Sequence, residues 1–385
     1  MPAGNALRSR APDTAPRVTN MELFFDLVYV FAVTQLSRFL FDHLTFRGAL
    51  EGLILFAAVW WAWNYTAWAT NWIDPESLPG AALMIVLMGI SLVMSGAIPE
   101  AFAGRGIPFA CSYVAIQVLR SGFLVWAFAP GDRMRRNYAQ LLAWSCIAGA
   151  IWIVGAFMHG DTKLVLWLVA IVVDIGAPVH GFRLPFVGAT PMEDWTLAGG
   201  HLAERCQLVV MIALGESVLR VGETFAEQHG SPSVDASFVV GFLVCAGLWG
   251  SYFLQFAERG AEAIAGAASD AARVGRSGYA YAHAMMVAGV IVVAVAIRLT
   301  IDNPDATSSL ASALTMLGGP ALFLAGLVLF KSAIGRGSLR APMTAIGVLV
   351  VLGGVAAVGA DLLIVMVCAM LVVGAMAVGA ATAEH

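Results

Sequence analysis

The sequence has little charge. Only 12% of its 385 residues are Asp, Glu, Lys or Arg, while 60% are hydrophobic. A soluble domain carries about twice that charged fraction, so a soluble globular protein is excluded, and no basic patch for nucleic acid is present. Cysteine is sparse too. Cys111, Cys146, Cys206, Cys245 and Cys368 are odd in number, lie inside apolar blocks and form no CxxC or Cys/His spacing. That excludes a disulfide framework and a zinc site, and buried, inert thiols are expected. There is no phosphate-binding glycine loop, no metal-ligand cluster and no activated Ser/His pair. No cofactor and no enzymatic activity are therefore expected. Residues 1–20 are polar and lack the apolar core and small-residue cleavage site of a secretory signal, so the first span is expected to stay in the mature protein.

What is present is hydrophobic sequence in blocks of about 17–25 residues, long enough to cross a hydrocarbon core of roughly 30 Å at about 1.5 Å per residue. The expected fold is an all-α, polytopic membrane bundle. Twelve helices are read at about 20–42, 47–72, 80–102, 107–129, 138–158, 163–181, 201–224, 235–257, 279–301, 308–330, 342–358 and 361–381. Proline and glycine punctuate the gaps, for example at Pro75, Pro79, Pro99, Pro130-Gly131, Pro185 and Pro232. The last two helices are parted only by a short turn around Gly359.

Basic residues set the expected orientation. With a cytoplasmic N-terminus, the inner tail and loops hold Arg8, Arg10, Arg17, Arg133, Arg135, Arg136, Arg183, Arg259, Arg273, Arg276, Lys331, Arg336 and Arg340, and the outer loops hold Arg47, Arg105 and Lys163. Both termini are expected in the cytoplasm, in a bacterial inner membrane. The expected organisation is a tail (1–19), a six-helix half (20–181), a linker (182–200), a second half (201–381) and a short tail (382–385). A faint echo between MELFFDLVYVFAVTQ and LAERCQLVVMIALGE, and between WAWNY and LWGSY, points to two parallel repeats. The Ala-rich, charged stretch at 257–278 is expected to extend the eighth helix beyond the membrane.

Charges inside spans are rare and face a bundle interior or a wet cavity. Glu22 and Asp26 lie one helical turn apart, on one face of the first helix. Arg120 on helix four, Asp174 on helix six, and His201, Glu204 and Arg205 at the start of helix seven fall in the same slab, within roughly 15 Å of the cytoplasmic boundary. Arg120 lies too deep to reach water and needs a counter-charge, for which Asp26 or Asp174 is expected. Two adjacent carboxylates are hard to satisfy with one cation, which favours a functional role for Glu22 and Asp26. Glu216 lies about fifteen residues into helix seven, in the outer half, flanked by Gly215 and Ser217 that would let a neighbour approach. Arg220 is its nearest possible partner at i+4. On helix two, Trp61, Asn64, Tyr65 and Trp68 form either an ordinary interfacial belt or an aromatic wall able to hold a cation. His283 reads as an internal polar contact and Arg298 as an interface anchor.

The stretches ELFFDLVYVFAVTQL at 22–36 and HLAERCQLVVMIALGESVL at 201–219, with VVDIGAP at 172–178 between them, resemble the bacterial low temperature requirement protein A family. The resemblance spans nearly the whole chain. It implies a polytopic bacterial membrane protein, with Glu22, Phe25, Asp26, His201, Glu204, Arg205, Gly215, Glu216 and Ser217 as signature positions. Cys206 and Gln207 depart from that pattern, in packing rather than charge. The resemblance names no substrate. Together these readings give two expectations. One is a transporter-like bundle whose carboxylates take up a proton or small cation. The other is a non-transporting sensor or scaffold locked by its buried charges. The expected partner is the lipid bilayer, and the oligomeric state is not expected to be legible.

Overall fold

The computed structural model describes residues 6–8, 17–185, 187–190, 194–227, 231–254, 256–267 and 270–382. The described residues are overwhelmingly helical and contain no β-strand, only isolated bridges. The long helices are α1 (Asn20–Asp42), α2 (Phe46–Ala69), α3 (Leu78–Ala97), α4 (Gly106–Ala127), α5 (Arg133–Ala156), α6 (Gly160–Val179), α7 (Gly199–Glu227), α8 (Pro232–Phe253), α11 (Ala282–Asp302), α12 (Leu310–Ile334), α13 (Arg340–Ala356) and α14 (Leu362–Thr382). Short helices α9 (Phe256–Ala265) and α10 (Ala271–Val274) lie between α8 and α11. Among the described residues, nine helical segments are long and apolar enough to cross a membrane. The twelve expected spans and these nine differ at α2 and α7, which are not among the nine, and at α13, which has only 17 residues.

Local sequence explains the helix ends. Thr19 caps α1 in a capping box: its backbone N–H donates to Glu22 Oε2 (2.9 Å), and the Glu22 N–H reaches back toward Thr19 Oγ1 (3.4 Å). Ser77 and Asp132 cap α3 and α5 by accepting the backbone N–H groups of Gly80 and Met134. The turn between α13 and α14 passes through Gly359 at φ +102°, a conformation that L side chains rarely adopt. The stretch expected to prolong the eighth helix does not do so as one rod. It breaks after Phe253, restarts as α9, and enters α11 through a π-helical turn at Gly275–Tyr281.

The chain divides into two compact units, one of residues 1–36, 50–205 and 268–273, the other of 37–49, 206–267 and 274–385. In the first, an aromatic cluster gathers the ends of α2, α4, α5 and α6 around Ile73, Phe128, Tyr138, Phe182 and Trp195. Trp68 and Trp72 join it: Trp68 lies edge-on to Trp195 and Trp72 to Phe128. In the second, α11 and α12 touch backbone to backbone. A Cβ at Gly289 would stand 2.6 Å from the Phe323 nitrogen, so glycine is required there. His283 makes the internal polar contact expected of it, between Tyr252 Oη at Nε2 (2.9 Å) and the Gly278 carbonyl at Nδ1 (2.8 Å). Arg298 stacks 3.8 Å over the Phe41 ring, with Asp302 at 3.6 Å. Cys206 and Cys245 are buried, but Cys111 and Cys146 are exposed on the outer faces of α4 and α5, contrary to the expectation of five buried thiols. Apolar blocks in a bundle have an outer side as well as an inner one, and composition alone does not separate them.

Candidate functional site

The first unit buries two separate sets of charges. The first is centred on α1. Glu22 and Asp26 are both wholly buried, and Arg205 reaches them from the start of α7. Its Nη2 donates to Asp26 Oδ1 (2.6 Å) and its Nε to Asp26 Oδ2 (3.0 Å), a two-pronged match of guanidinium to carboxylate. Its Nη1 donates to Glu22 Oε1 (3.2 Å) and to Thr70 Oγ1 (3.0 Å). The rings of Phe25 and Trp63 lie 6.0 and 5.8 Å from the guanidinium carbon. Trp63 also donates its indole N–H to Asp26 Oδ1 at 2.7 Å.

Glu22 has a second cation. Arg8 Nη2 donates to Glu22 Oε2 at 2.8 Å. The segment that carries Arg8 is tied to the end of α2: the Arg8 N–H donates to the Trp72 carbonyl (2.8 Å), its Nε to the Thr70 carbonyl (2.8 Å), and the Asp74 N–H to the Ala6 carbonyl (3.0 Å). His201 completes the set, with Nε2 at 2.8 Å from Glu22 Oε1. Its tautomer follows from Asn71. The Ala198 N–H donates to Asn71 Oδ1 (2.8 Å), which turns the Asn71 amide N–H₂ toward the Ala198 carbonyl and His201 Nδ1. His201 Nδ1 therefore accepts, and Nε2–H donates to Glu22. Two carboxylates face two guanidinium groups, with the imidazole as a further hydrogen-bond partner. Two adjacent acids are hard to satisfy with one cation, and here a second one comes from the tail, fourteen positions before Glu22. Glu204 stands apart from this set, exposed, accepting the Val18 amide at 3.3 Å.

The second set runs along one face of α4. Arg120 Nη2 donates to Gln117 Oε1 (2.5 Å), Gln117 Nε2 to Tyr113 Oη (2.8 Å), and Tyr113 Oη to Asp174 Oδ2 on α6 (2.8 Å). Every link donates in the same direction, from cation to carboxylate, so each bond polarises the next. Trp152 of α5 adds its indole N–H to Asp174 Oδ2 at 3.2 Å. The expected direct pairing of Arg120 with Asp26 or Asp174 does not occur. Asp26 is taken by Arg205, and two neutral side chains separate Arg120 from Asp174. Among the described residues, Arg120 makes no ion pair, and its Nε has no hydrogen-bond partner. Thr66 Oγ1 lies 3.5 Å from Nη1, and the Tyr65 ring centroid 5.3 Å from the guanidinium carbon.

The expected aromatic wall on α2 divides between these sets. Pro178 on α6 has no N–H for the carbonyl four residues back, that of Asp174. The freed carbonyl accepts Trp61 Nε1 (3.2 Å) and Tyr65 Oη (3.4 Å) instead. Trp63 serves Asp26, Trp68 belongs to the aromatic cluster, and Asn64 is buried with Oδ1 unpartnered among the described residues. In the second unit, Glu216 and Ser217 are buried, and Ser217 donates to the Ala213 carbonyl at 3.1 Å. Gly215 is exposed, and a Cβ there would meet nothing within 4 Å, so the close neighbour expected at this glycine is absent among the described residues. The side chain of Arg220, the partner expected for Glu216, lies outside the described residues.

Sequence reasoning missed Arg8, Thr70, Asn71, Tyr113, Gln117 and Trp152. Tyr113, Gln117, Arg120 and Ser121 do carry a signal, because i, i+4, i+7 and i+8 mark one face of a helix. Read as a polar stripe inside an apolar span, they would have pointed to one another.

A bundle of apolar helices with charged groups sealed inside it defines a multi-pass helical membrane protein. The bacterial low temperature requirement A protein family matches residues 17–378, and the chain belongs to that family. An uncharacterized protein of Rhizobium meliloti (strain 1021) is 38% identical over 322 residues, covering 82% of this chain and 77% of its own length. No solved structure matches the chain significantly.

Proposed function

We propose that this is a transporter-like protein of the bacterial cytoplasmic membrane, with both termini inside, and that Asp174 is the group that takes up and releases the coupled proton. One contrast carries the reading. Asp26 sits in a two-pronged ion pair, so a change in its charge would strand Arg205. Among the described residues Asp174 accepts side-chain hydrogen bonds only from neutral donors, Tyr113 and Trp152, and can change charge without breaking an ion pair. Charges held inside membrane bundles are expensive and mark ion pathways or proton relays. The donor chain from Arg120 to Asp174 then links the proton to a fixed positive charge. Glu216 provides a second buried carboxylate, in the outer half. A small cation in place of the proton would use the same carboxylate.

The α1 set is read differently, as a structural lock. The interlocked geometry of Arg8, Glu22, Asp26, His201 and Arg205 supports this second reading for these residues. The test is an imposed pH gradient across proteoliposomes holding the purified full-length protein. Asp174→Asn is expected to abolish flux while the protein still elutes as a folded species. Unchanged flux in that variant would overturn the reading.

A further inference from the structure

We propose that Arg120 is the binding group for a small planar oxyanion of the monocarboxylate type, and that this anion is the cargo moved with the Asp174 proton. The second clause rests on the transport reading above; the first stands by itself.

Arg205 shows, within the same unit, what a satisfied guanidinium looks like: its Nε and Nη2 hold the two oxygens of Asp26. Arg120 is equally buried, and its Nε–H has no acceptor among the described residues. Its Nη2 is spent on a neutral amide and its Nη1 on a hydroxyl at 3.5 Å. A guanidinium cannot shed its proton in a protein, so its charge needs a partner. The next residue, Ser121, is wholly buried, and its Oγ also lacks a partner among the described residues. Two adjacent, buried, unused donors on one helix face suit an acceptor with more than one oxygen. Tyr65 adds a ring beside the guanidinium and ties that position to the Asp174 carbonyl. Anion and proton would thus bind at the two ends of one hydrogen-bonded chain, Arg120–Gln117–Tyr113–Asp174, and their charges would cancel on joint binding.

The probes are pyruvate, nitrate and chloride at matched ionic strength, added to the full-length protein in detergent, with thermal unfolding and tryptophan fluorescence as readouts. Pyruvate and nitrate are expected to stabilise saturably and chloride at least tenfold more weakly. Arg120→Lys, which keeps the charge but loses the fork, should weaken pyruvate binding at least tenfold. Should Arg120 variants fail to fold, Ser121→Ala should still weaken it several-fold. No saturable binding, or equal binding of chloride with no effect of either substitution, overturns the site. Saturable binding without uptake of labelled pyruvate into proteoliposomes upholds the site and removes the anion as cargo. Proton flux indifferent to pyruvate upholds transport and removes the anion.

Discussion

Arg205 and Asp26, 179 positions apart in the chain, meet through two hydrogen bonds of 2.6 and 3.0 Å inside the bundle. Removing one partner of such a buried pair leaves the other uncompensated and costs about 3–5 kcal/mol, whereas removing both together costs far less. Arg205→Gln is therefore expected to destabilise the protein strongly. Arg205→Met combined with Asp26→Leu should recover most of that loss, as read by thermal unfolding in detergent. Additive losses would mean that the two residues are not coupled.

Arg8 makes the second ion pair to Glu22 from a side chain that is 12% exposed. Arg8→Gln should cost about 1.5–3 kcal/mol, the range for a hydrogen bond to a charged group. It should also free the segment around Leu7, which limited proteolysis of the N-terminal region will detect. A cleavage pattern like that of the unaltered protein would show that the docking does not depend on this pair.

Much of this fold was legible, and the reason is physical. Each helix in a bilayer must satisfy its own backbone, so long apolar runs announce themselves, and the long helices among the described residues stand close to where the sequence puts them. The joining of α1 to the start of α7 was legible too, because Glu22, Asp26, His201 and Arg205 are charged or titratable groups in apolar surroundings. The wiring was not. Arg8 sits in a polar tail, where an arginine is unremarkable. Gln117 and Tyr113 are neutral and carry no signal of cost, so the sequence points Arg120 straight to Asp26 or Asp174, whereas it reaches Asp174 through them.

The capping box at the head of α1 serves fold and site together, since Glu22 Oε2 accepts both Thr19 donors and Arg8. Thr19→Ala should cost about 1 kcal/mol. The loss should be smaller in an Arg8→Gln background, because both changes act on the same carboxylate oxygen. Equal losses in the two backgrounds would separate the cap from the lock.

Tyr113 joins the amide of Gln117 to the carboxylate of Asp174. Tyr113→Phe keeps the ring against Trp152 and removes only the hydroxyl. Flux in proteoliposomes should fall at least tenfold while thermal stability drops by about 1–3 kcal/mol, the cost of leaving buried groups unpaired. A normal flux would show that the chain of hydrogen bonds is not the route that couples the two charges.

In the second unit, Gly289 allows α11 and α12 to meet. Gly289→Ala would bring a Cβ to 2.6 Å from the Phe323 nitrogen and 2.8 Å from the Gly319 carbonyl oxygen. The helices must then move apart, at a cost of about 1–3 kcal/mol. Thermal unfolding of the purified variant checks this; an unchanged midpoint would contradict the close packing.

The most direct measurement compares two folded proteins in proteoliposomes under the same imposed pH gradient. One carries Asp174→Asn, the other the double change Asp26→Leu with Arg205→Met. If the α1 charges are a lock and Asp174 is the proton site, the double variant keeps most of its flux and Asp174→Asn has none. Flux lost from the double variant and kept by Asp174→Asn would assign the two sets the other way round.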